Sequence, residues 1–221
     1  MLAIRDLDLF ANGEEYIRNS NFEFNAGTYY GIYGGPGAGK SLLFSSMVGL
    51  KIPENGDVVV DQMSLYYSDF IELSLSRKKM GVVFQIPGII SNLDVYNNVR
   101  LAVETHHGKK EDLEKISIIE NELENFDLLK LKKHRPIALS IGQLYLLAVA
   151  RAFACAPKFF IWDECFNNIP KKYRKIIIER LNTFQKEGSG VILFSNEYEK
   201  LKMVGENILT IKDGDIMPYG L

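Results

Sequence analysis

Two stretches of the sequence combine residue types and spacings that do chemistry. GGPGAGKS (Gly34–Ser41) fits G-x-x-x-x-G-K-[ST], follows a strand-like run and opens a helix-like one. Glycines there let consecutive backbone N–H groups turn inward as an anion nest, and a helix N-terminus adds its partial positive charge. Lys40 can then reach terminal phosphates, and the Ser41 hydroxyl can ligate a divalent cation. Gly34, Gly35, Pro36, Gly37, Ala38, Gly39, Lys40, Ser41 and Leu42 are therefore candidate binding residues. Such a loop implies a nucleoside triphosphate as ligand. The second stretch, FFIWDECFNNIP (Phe159–Pro170), runs from apolar residues into adjacent carboxylates, Asp163 and Glu164. A strand ending this way holds a metal and activates a water, or simply meets solvent. A phosphate loop earlier in the same sheet favours the first.

The elements that must position these residues are legible as alternating short patterns. IRDLDLF (Ile4–Phe10) and NFEF (Asn21–Phe24) alternate apolar and polar residues, as half-buried strands do. TYYGIY (Thr28–Tyr33) reads as a more central strand, and SLLFSSMVGL (Ser41–Leu50) as the helix after the loop. A strand pair is expected around the turn-like PENGD (Pro53–Asp57), and KMGVVFQ (Lys79–Gln85) as a strand ending in a polar residue. From about Ile86 to Ala156 the helix pattern prevails. Within it EDLEKISIIENELENF (Glu111–Phe126) places Leu113, Ile116, Leu123 and Phe126 on one face. HHGKK (His106–Lys110) reads as a solvated loop whose histidines have no third metal ligand nearby. Strands return at KFFIWD (Lys158–Asp163) and GVILFS (Gly190–Ser195), with a helix over Lys171–Gly188 between them. Strand–helix–strand order implies a parallel sheet.

The chain of 221 residues, 47% hydrophobic and 24% charged, is of single-domain size with enough apolar residues for a sizeable core. A net charge of −2 argues against a general nucleic-acid binder, so no nucleic-acid partner is expected. Cys155 and Cys165 cannot build a disulfide framework, and a reducing cytosol is the expectation. MLAIRDLDLF carries charges inside its apolar stretch, so no signal peptide is expected. The longest apolar run, Leu144–Ala156, is interrupted by Arg151 and falls short of the ~20 residues a bilayer needs.

Four later segments, taken in order, resemble the ATP-binding cassette (ABC) family across essentially the whole chain. VVFQ (Val82–Gln85) is similar to the strand leading into the family's Q-loop. LSIGQ (Leu139–Gln143) is similar to the LSGGQ signature, and AVARAF (Ala148–Phe153) to the helix that follows it. FFIWDE (Phe159–Glu164) resembles Walker B plus the catalytic glutamate. The resemblance implies an α/β P-loop NTPase core, a mixed sheet flanked by helices with an N-terminal antiparallel β subdomain, plus an inserted α-helical signature subdomain. Over a single domain, 1–221, residues 1–85 and 157–221 would form the core and 86–156 the helical part.

The same resemblance assigns roles. ATP and Mg²⁺ are the implied ligands, with Ser41, Gln85 and Asp163 about the metal and Glu164 as general base beside Lys40. Ser140 alone reads as a helix N-cap. In the family Ser140, Gly142 and Gln143 would address ATP held by a second cassette, giving a homodimer or heterodimer closed around nucleotide.

Departures from the family pattern are local. Asn196 stands where a switch histidine is expected, and asparagine cannot carry a proton or a charge. Asn167–Pro170 lacks the aspartate of the inter-site loop, and Ile141 replaces a glycine of the signature. The adenine-stacking aromatic is unsettled, with Phe10 the nearest candidate. Slow hydrolysis is expected. The implied function is the ATPase subunit of a bacterial transporter, peripheral on the cytoplasmic face of the inner membrane through a transmembrane permease. Gln85–Val103, Arg135–Ser140 and Phe166 resemble lipid or lipoprotein cassettes. Ile86, Ile89, Ile90 and Leu93 are the expected apolar grip on the permease. A degenerate or regulatory cassette, of cell-division or heterodimer type, is the alternative, and a soluble ATP-dependent interaction protein is a reading of another class.

Overall fold

The computed structural model of the protein describes residues 1–108 and 110–220. The chain begins with β1 (Leu2–Ala11), β2 (Glu14–Phe24), β3 (Tyr29–Tyr33), α1 (Lys40–Met47), β4 (Asn55–Val60) and β5 (Met63–Ser64). It continues through α2 (Phe70–Arg77), β6 (Met80–Val83), α3 (Val95–His106), α4 (Asp112–Asn125) and α5 (Ile141–Ala154). It ends with β7 (Phe159–Trp162), α6 (Lys171–Lys186), β8 (Gly190–Ser195), α7 (Tyr198–Lys202), β9 (Ile208–Lys212) and β10 (Asp215–Pro218).

The first sheet is antiparallel, in the order β2-β1-β4-β5. Asn12-Gly13, with φ of 52° and 80°, turns β1 into β2, because a two-residue hairpin needs left-handed backbone at both positions. PENGD does not separate two strands, contrary to the sequence expectation. Its Asn55 and Asp57 lie in β4 opposite Asp8 and Arg5, and the reversal comes later, at Asp61-Gln62, with φ of 49° and 70°. Gly56 is what lets the strand start so early. At φ 80° it sits under the Arg5 and Asp6 carbonyls, each 2.3 Å from where a Cβ would stand.

The second sheet runs β10-β9-β3-β8-β7-β6, parallel except for the β9–β10 hairpin. All four residues of β7 are fully buried, and they alternate between two cores. Phe159 and Ile161 join α1 and the antiparallel sheet, while Phe160 and Trp162 join the side holding α3 to α6. A strand packed on both faces has little freedom to slide, so whatever follows Trp162 is held in place.

Between β6 and β7 the chain is helical, but its faces differ from the expected ones. In α4 Leu113 is 78% and Ile116 40% exposed, and Ile119, Glu122 and Leu123 are the buried positions, followed by Phe126. HHGKK is not a free loop. His106 closes α3 with Nδ1 2.9 Å from the Ala102 carbonyl, and His107 Nε2 lies 2.9 Å from the Ala154 carbonyl at the end of α5. Burial lowers the His106 pKa. Lys109 of that stretch, like Leu221, falls outside the described residues.

Candidate active site

The phosphate loop joins the end of β3 to α1. Gly37 and Gly39 take φ of 80° and 88°, left-handed values that admit glycine readily. Gly39 has a second reason to be glycine: a Cβ there would stand 3.1 Å from the Cβ of Tyr16. Lys40 is only 6% exposed, and its ammonium donates to the Gly34 carbonyl at 2.7 Å and the Gly35 carbonyl at 3.1 Å. It also lies 3.7 Å from Glu164 Oε1, in a pair buried on both sides. Phosphate oxygens entering the loop would compete with those carbonyls for the lysine, and an ammonium bound to anions is the stronger pairing.

Asp163 and Glu164 sit where β7 delivers them. The Asp163 amide donates to Val83 O and the Cys165 amide to Phe194 O, both at 2.9 Å, so the turn is bolted to the ends of β6 and β8. Asp163 is almost fully buried, and its Oδ1 has no hydrogen-bond partner. Burial pushes its pKa up to about 6; a hydrogen bond from Ser41 opposes the rise, the nearby Glu164 adds to it, and the Lys40 charge opposes it more weakly. A buried carboxylate oxygen without a partner, beside a serine hydroxyl, is a set of hard oxygen donors suited to Mg²⁺. Among the described residues no group of three or more His, Cys, Asp or Glu is placed to hold a metal.

A cavity of about 360 Å³ opens over this floor, lined by Pro36 to Leu42 with Gln85, Glu164 and Asn196. Residues far apart in sequence thus share one space. Ala11 and Tyr16 line it too. Tyr16 is the aromatic beside the phosphate loop, and Phe10, the candidate expected from the sequence, is not among the residues lining the cavity. The signal for Tyr16 lay in its place just past the Asn12-Gly13 turn, which carries the start of β2 over the loop.

Ser140, Gly142 and Gln143 do not line this cavity. Ser140 caps α5 in a reciprocal box: its Oγ accepts from the Gln143 amide at 3.3 Å, and Gln143 Oε1 accepts from the Ser140 amide at 2.8 Å. Gly142 faces inward, where a Cβ would meet the Pro170 ring at 3.0 Å, whereas Ile141 projects outward and is exposed. The expected apolar grip also divides. Ile86 is 81% exposed, but Ile89 packs on the core and Ile90 and Leu93 are half-buried. The reason is Asn98, fully buried, whose side chain bonds the backbone of Ile90, Leu93 and Asp94 and so folds that loop onto α3. Tyr145 and Arg151 of α5 bond the carbonyls of Gln85 and Gly88 in the same way.

Comparison with known proteins agrees with this geometry. The family model described as ABC transporter matches residues 17–167. The methionine import ATP-binding protein MetN of Clostridium acetobutylicum is 29% identical over the whole chain, which spans 68% of that protein. MetN of Aliivibrio fischeri is 31% identical over 92% of the chain, which spans 59% of that relative. Among solved structures, the ATP-binding cassette MJ0796, a dimer in a post-hydrolysis state bound to ADP and Pi, superposes with a TM-score of 0.86. It is 25% identical, over 99% of this chain and 98% of that one. These relatives are named for methionine import, so they lend no support to the lipid or lipoprotein resemblance.

Proposed function

The chain belongs to the ABC transporter family as an ATP-hydrolysing cassette, and on that premise we propose that it drives a membrane permease by ATP-dependent pairing with a second cassette. The observation that carries this is the convergence of Lys40, Ser41, Gln85, Glu164 and Asn196 on one cavity, with Asp163 buried behind it. In the proposed reaction a water oxygen attacks the γ-phosphorus and Glu164 accepts the water's proton. The bond from the γ-phosphorus to the bridging oxygen breaks, releasing ADP and phosphate. Lys40 balances charge on the terminal phosphates, and Tyr16 offers a face to the adenine. Ser41, Gln85 and Asp163 would hold Mg²⁺, which neutralises phosphate charge when bound.

Ser140, Gly142 and Gln143 would act on nucleotide held by the partner cassette, which fits their position outside their own chain's cavity. The partner is a second copy or a related chain, and residues 86–156 serve as the helical subdomain that bears the signature. The cassette works at the cytoplasmic face of the inner membrane, held there by its permease. The permease sets the substrate, and the names of the relatives favour import of a small solute such as methionine over lipid trafficking. A second reading, a regulatory cassette with weak turnover, is favoured by one specific observation: Asn196, lining the cavity, is neutral where a histidine would be protonatable.

The test is ATP hydrolysis by the purified chain across a range of concentrations, with Glu164→Gln alongside. Wild type should hydrolyse faster per chain as concentration rises, and Glu164→Gln should bind ATP without turning it over. Wild-type turnover in Glu164→Gln would sink the reading. Membrane pull-downs test the permease: a purely soluble pool in native cells would count against it.

A further inference from the structure

The turn after Glu164 holds residues that this reaction does not use. Glu164, Phe166 and Asn168 take left-handed φ values of 49°, 61° and 57°, conformations that persist in non-glycine residues only when the surroundings impose them. Part of the restraint is backbone, as described above. The rest is a chain of side chains. Asn167 Nδ2 donates to Glu164 Oε2 at 3.4 Å, and Asn167 Oδ1 accepts from the Lys200 ammonium. That ammonium also donates to Glu197 Oε1 at 2.5 Å. The Lys200 side chain is only 11% exposed. Its helix cannot drift, because Leu201 is fully buried and its carbonyl accepts from the Tyr29 hydroxyl at 2.8 Å.

The two Glu164 oxygens therefore have different partners: Oε1 faces Lys40 of the phosphate loop and Oε2 faces Asn167. An ammonium only donates hydrogen bonds, so Lys200 requires the Asn167 carbonyl oxygen to face it. The amide nitrogen is then the end left to face Glu164. The carboxylate favours the same orientation of the carboxamide, so loss of the lysine removes one of the two restraints on it and frees the Asn167 side chain to move away from Glu164.

We infer that Lys200, acting through the Asn167 carboxamide, is a positioning residue that holds the Glu164 carboxylate in the orientation needed to accept a proton from the attacking water. This rests on the reading of Glu164 as the water-activating base. The relay approaches the carboxylate from the side of α7, and the connection from β8 into that helix carries Asn196 into the cavity. A lysine that merely tied α7 to the turn would change stability when replaced and leave the balance of kcat and KM alone.

The experiment measures kcat, KM and the ATP dissociation constant for Lys200→Met, Lys200→Arg, Asn167→Ala and the double variant Lys200→Met/Asn167→Ala, with Glu164→Gln as reference. Replacing an outer partner of a site residue typically costs about 10–100-fold in activity, so Lys200→Met should lose kcat on that scale with the ATP dissociation constant unchanged. Lys200→Arg should recover most of the loss, and the double variant should be no slower than Asn167→Ala alone. Wild-type kcat in Lys200→Met overturns the proposal, as do losses that multiply in the double variant or an arginine that rescues nothing. If Lys200→Met does not fold, Asn167→Ala carries the same expectation, and its wild-type kcat is equally fatal. An inactive Glu164→Gln beside a fully active Lys200→Met removes the relay alone, whereas an active Glu164→Gln removes the underlying reading as well.

Discussion

Asp163→Asn should make the protein more stable in the absence of ATP and Mg²⁺, although it removes a carboxylate that the proposed reaction uses. The carboxylate is buried with one oxygen unpartnered, and burial raises its pKa from 3.8 to about 6. The native state therefore holds the Asp163 proton more tightly than the unfolded chain does. Between those two values stability falls as pH rises, and above about 6 the full penalty of the buried charge is present. At ~1.4 kcal/mol per tenfold in proton affinity, the difference amounts to roughly 3 kcal/mol at pH 7.5. At pH 4.5 linkage leaves only about 1 kcal/mol, because the native carboxyl is then mostly protonated. An asparagine has neither charge nor titration, so its advantage over wild type should grow from the smaller figure to the larger across that range.

Trp162 provides the signal. It is the one tryptophan of the chain, fully buried, next to the substituted residue and 5.0 Å from the Phe166 ring. Thermal unfolding followed by its emission should show Asp163→Asn melting about 6–12 °C above wild type at pH 7.5, given roughly 2–4 °C per kcal/mol for domains of this size. The gap should shrink to about a third at pH 4.5. Adding ATP with Mg²⁺ should raise the wild-type midpoint and leave the variant nearly unmoved. A gap independent of pH, or a variant less stable than wild type at pH 7.5, would refute the argument that a desolvated charge waits here for a cation.

Other expectations follow from single contacts. Tyr16→Ala should raise KM for ATP by the ~1–3 kcal/mol that a base–aromatic stack contributes, about 5- to 150-fold, while Tyr16→Phe keeps it near wild type; unchanged KM in the alanine variant would remove Tyr16 from the site. Asn196→His should raise turnover, since one preorganised contact to a transition state is worth about 10²–10³ in rate; no change in kcat counts against the assigned position. Arg180→Met strands Glu122, which is buried with its pKa raised by burial and paired to Arg180 across α4 and α6. Breaking a buried pair costs about 3–5 kcal/mol, and with the Arg180 side chain 36% exposed the lower end is expected, read as a shift in the urea midpoint.

What could be read from the sequence and what could not divide along a physical line. The phosphate loop and the β7 carboxylates were legible because their chemistry is local: glycines, a lysine and a serine within eight positions, or apolar residues running into a carboxylate pair. Strand β7 also announced itself, since a strand buried on both faces reads as an unbroken apolar run. The contents of the cavity were harder: Tyr16 reaches it only through the packing of the two sheets, and Asn196 was singled out only through the family resemblance, as a departure from its pattern. Helical periodicity misjudged α4 because the pattern says which residues share a face, not how much of the helix finds a neighbour. Its first turns stay largely exposed, Leu113 at 78% and Ile116 at 40%, while a paired glutamate, Glu122, occupies the buried face. PENGD misled for a similar reason: asparagine and glycine favour turns, but here Gly56 serves a close passage under the Arg5 and Asp6 carbonyls.

The segment Cys165–Pro170 shows how a loss of pattern differs from a loss of structure. By composition it is a slack stretch that lacks the aspartate of the family loop. In three dimensions it is among the most constrained parts of the chain, with left-handed backbone at Glu164, Phe166 and Asn168, and Cys165 and Phe166 fully buried. Pro170 lies against Gly142 at the start of α5, so this turn runs from Glu164, the proposed base, to the helix proposed to bear the signature. A shift of α5 during the proposed pairing of two cassettes would press on the same turn whose Asn167 contacts Glu164. Coupling between sites then needs no aspartate in the loop: it needs a stiff turn with one end under α5 and the other at Glu164. Pro170→Gly should therefore weaken the dependence of turnover on protein concentration more than it weakens ATP binding, and equal effects on both would mean that the turn transmits nothing.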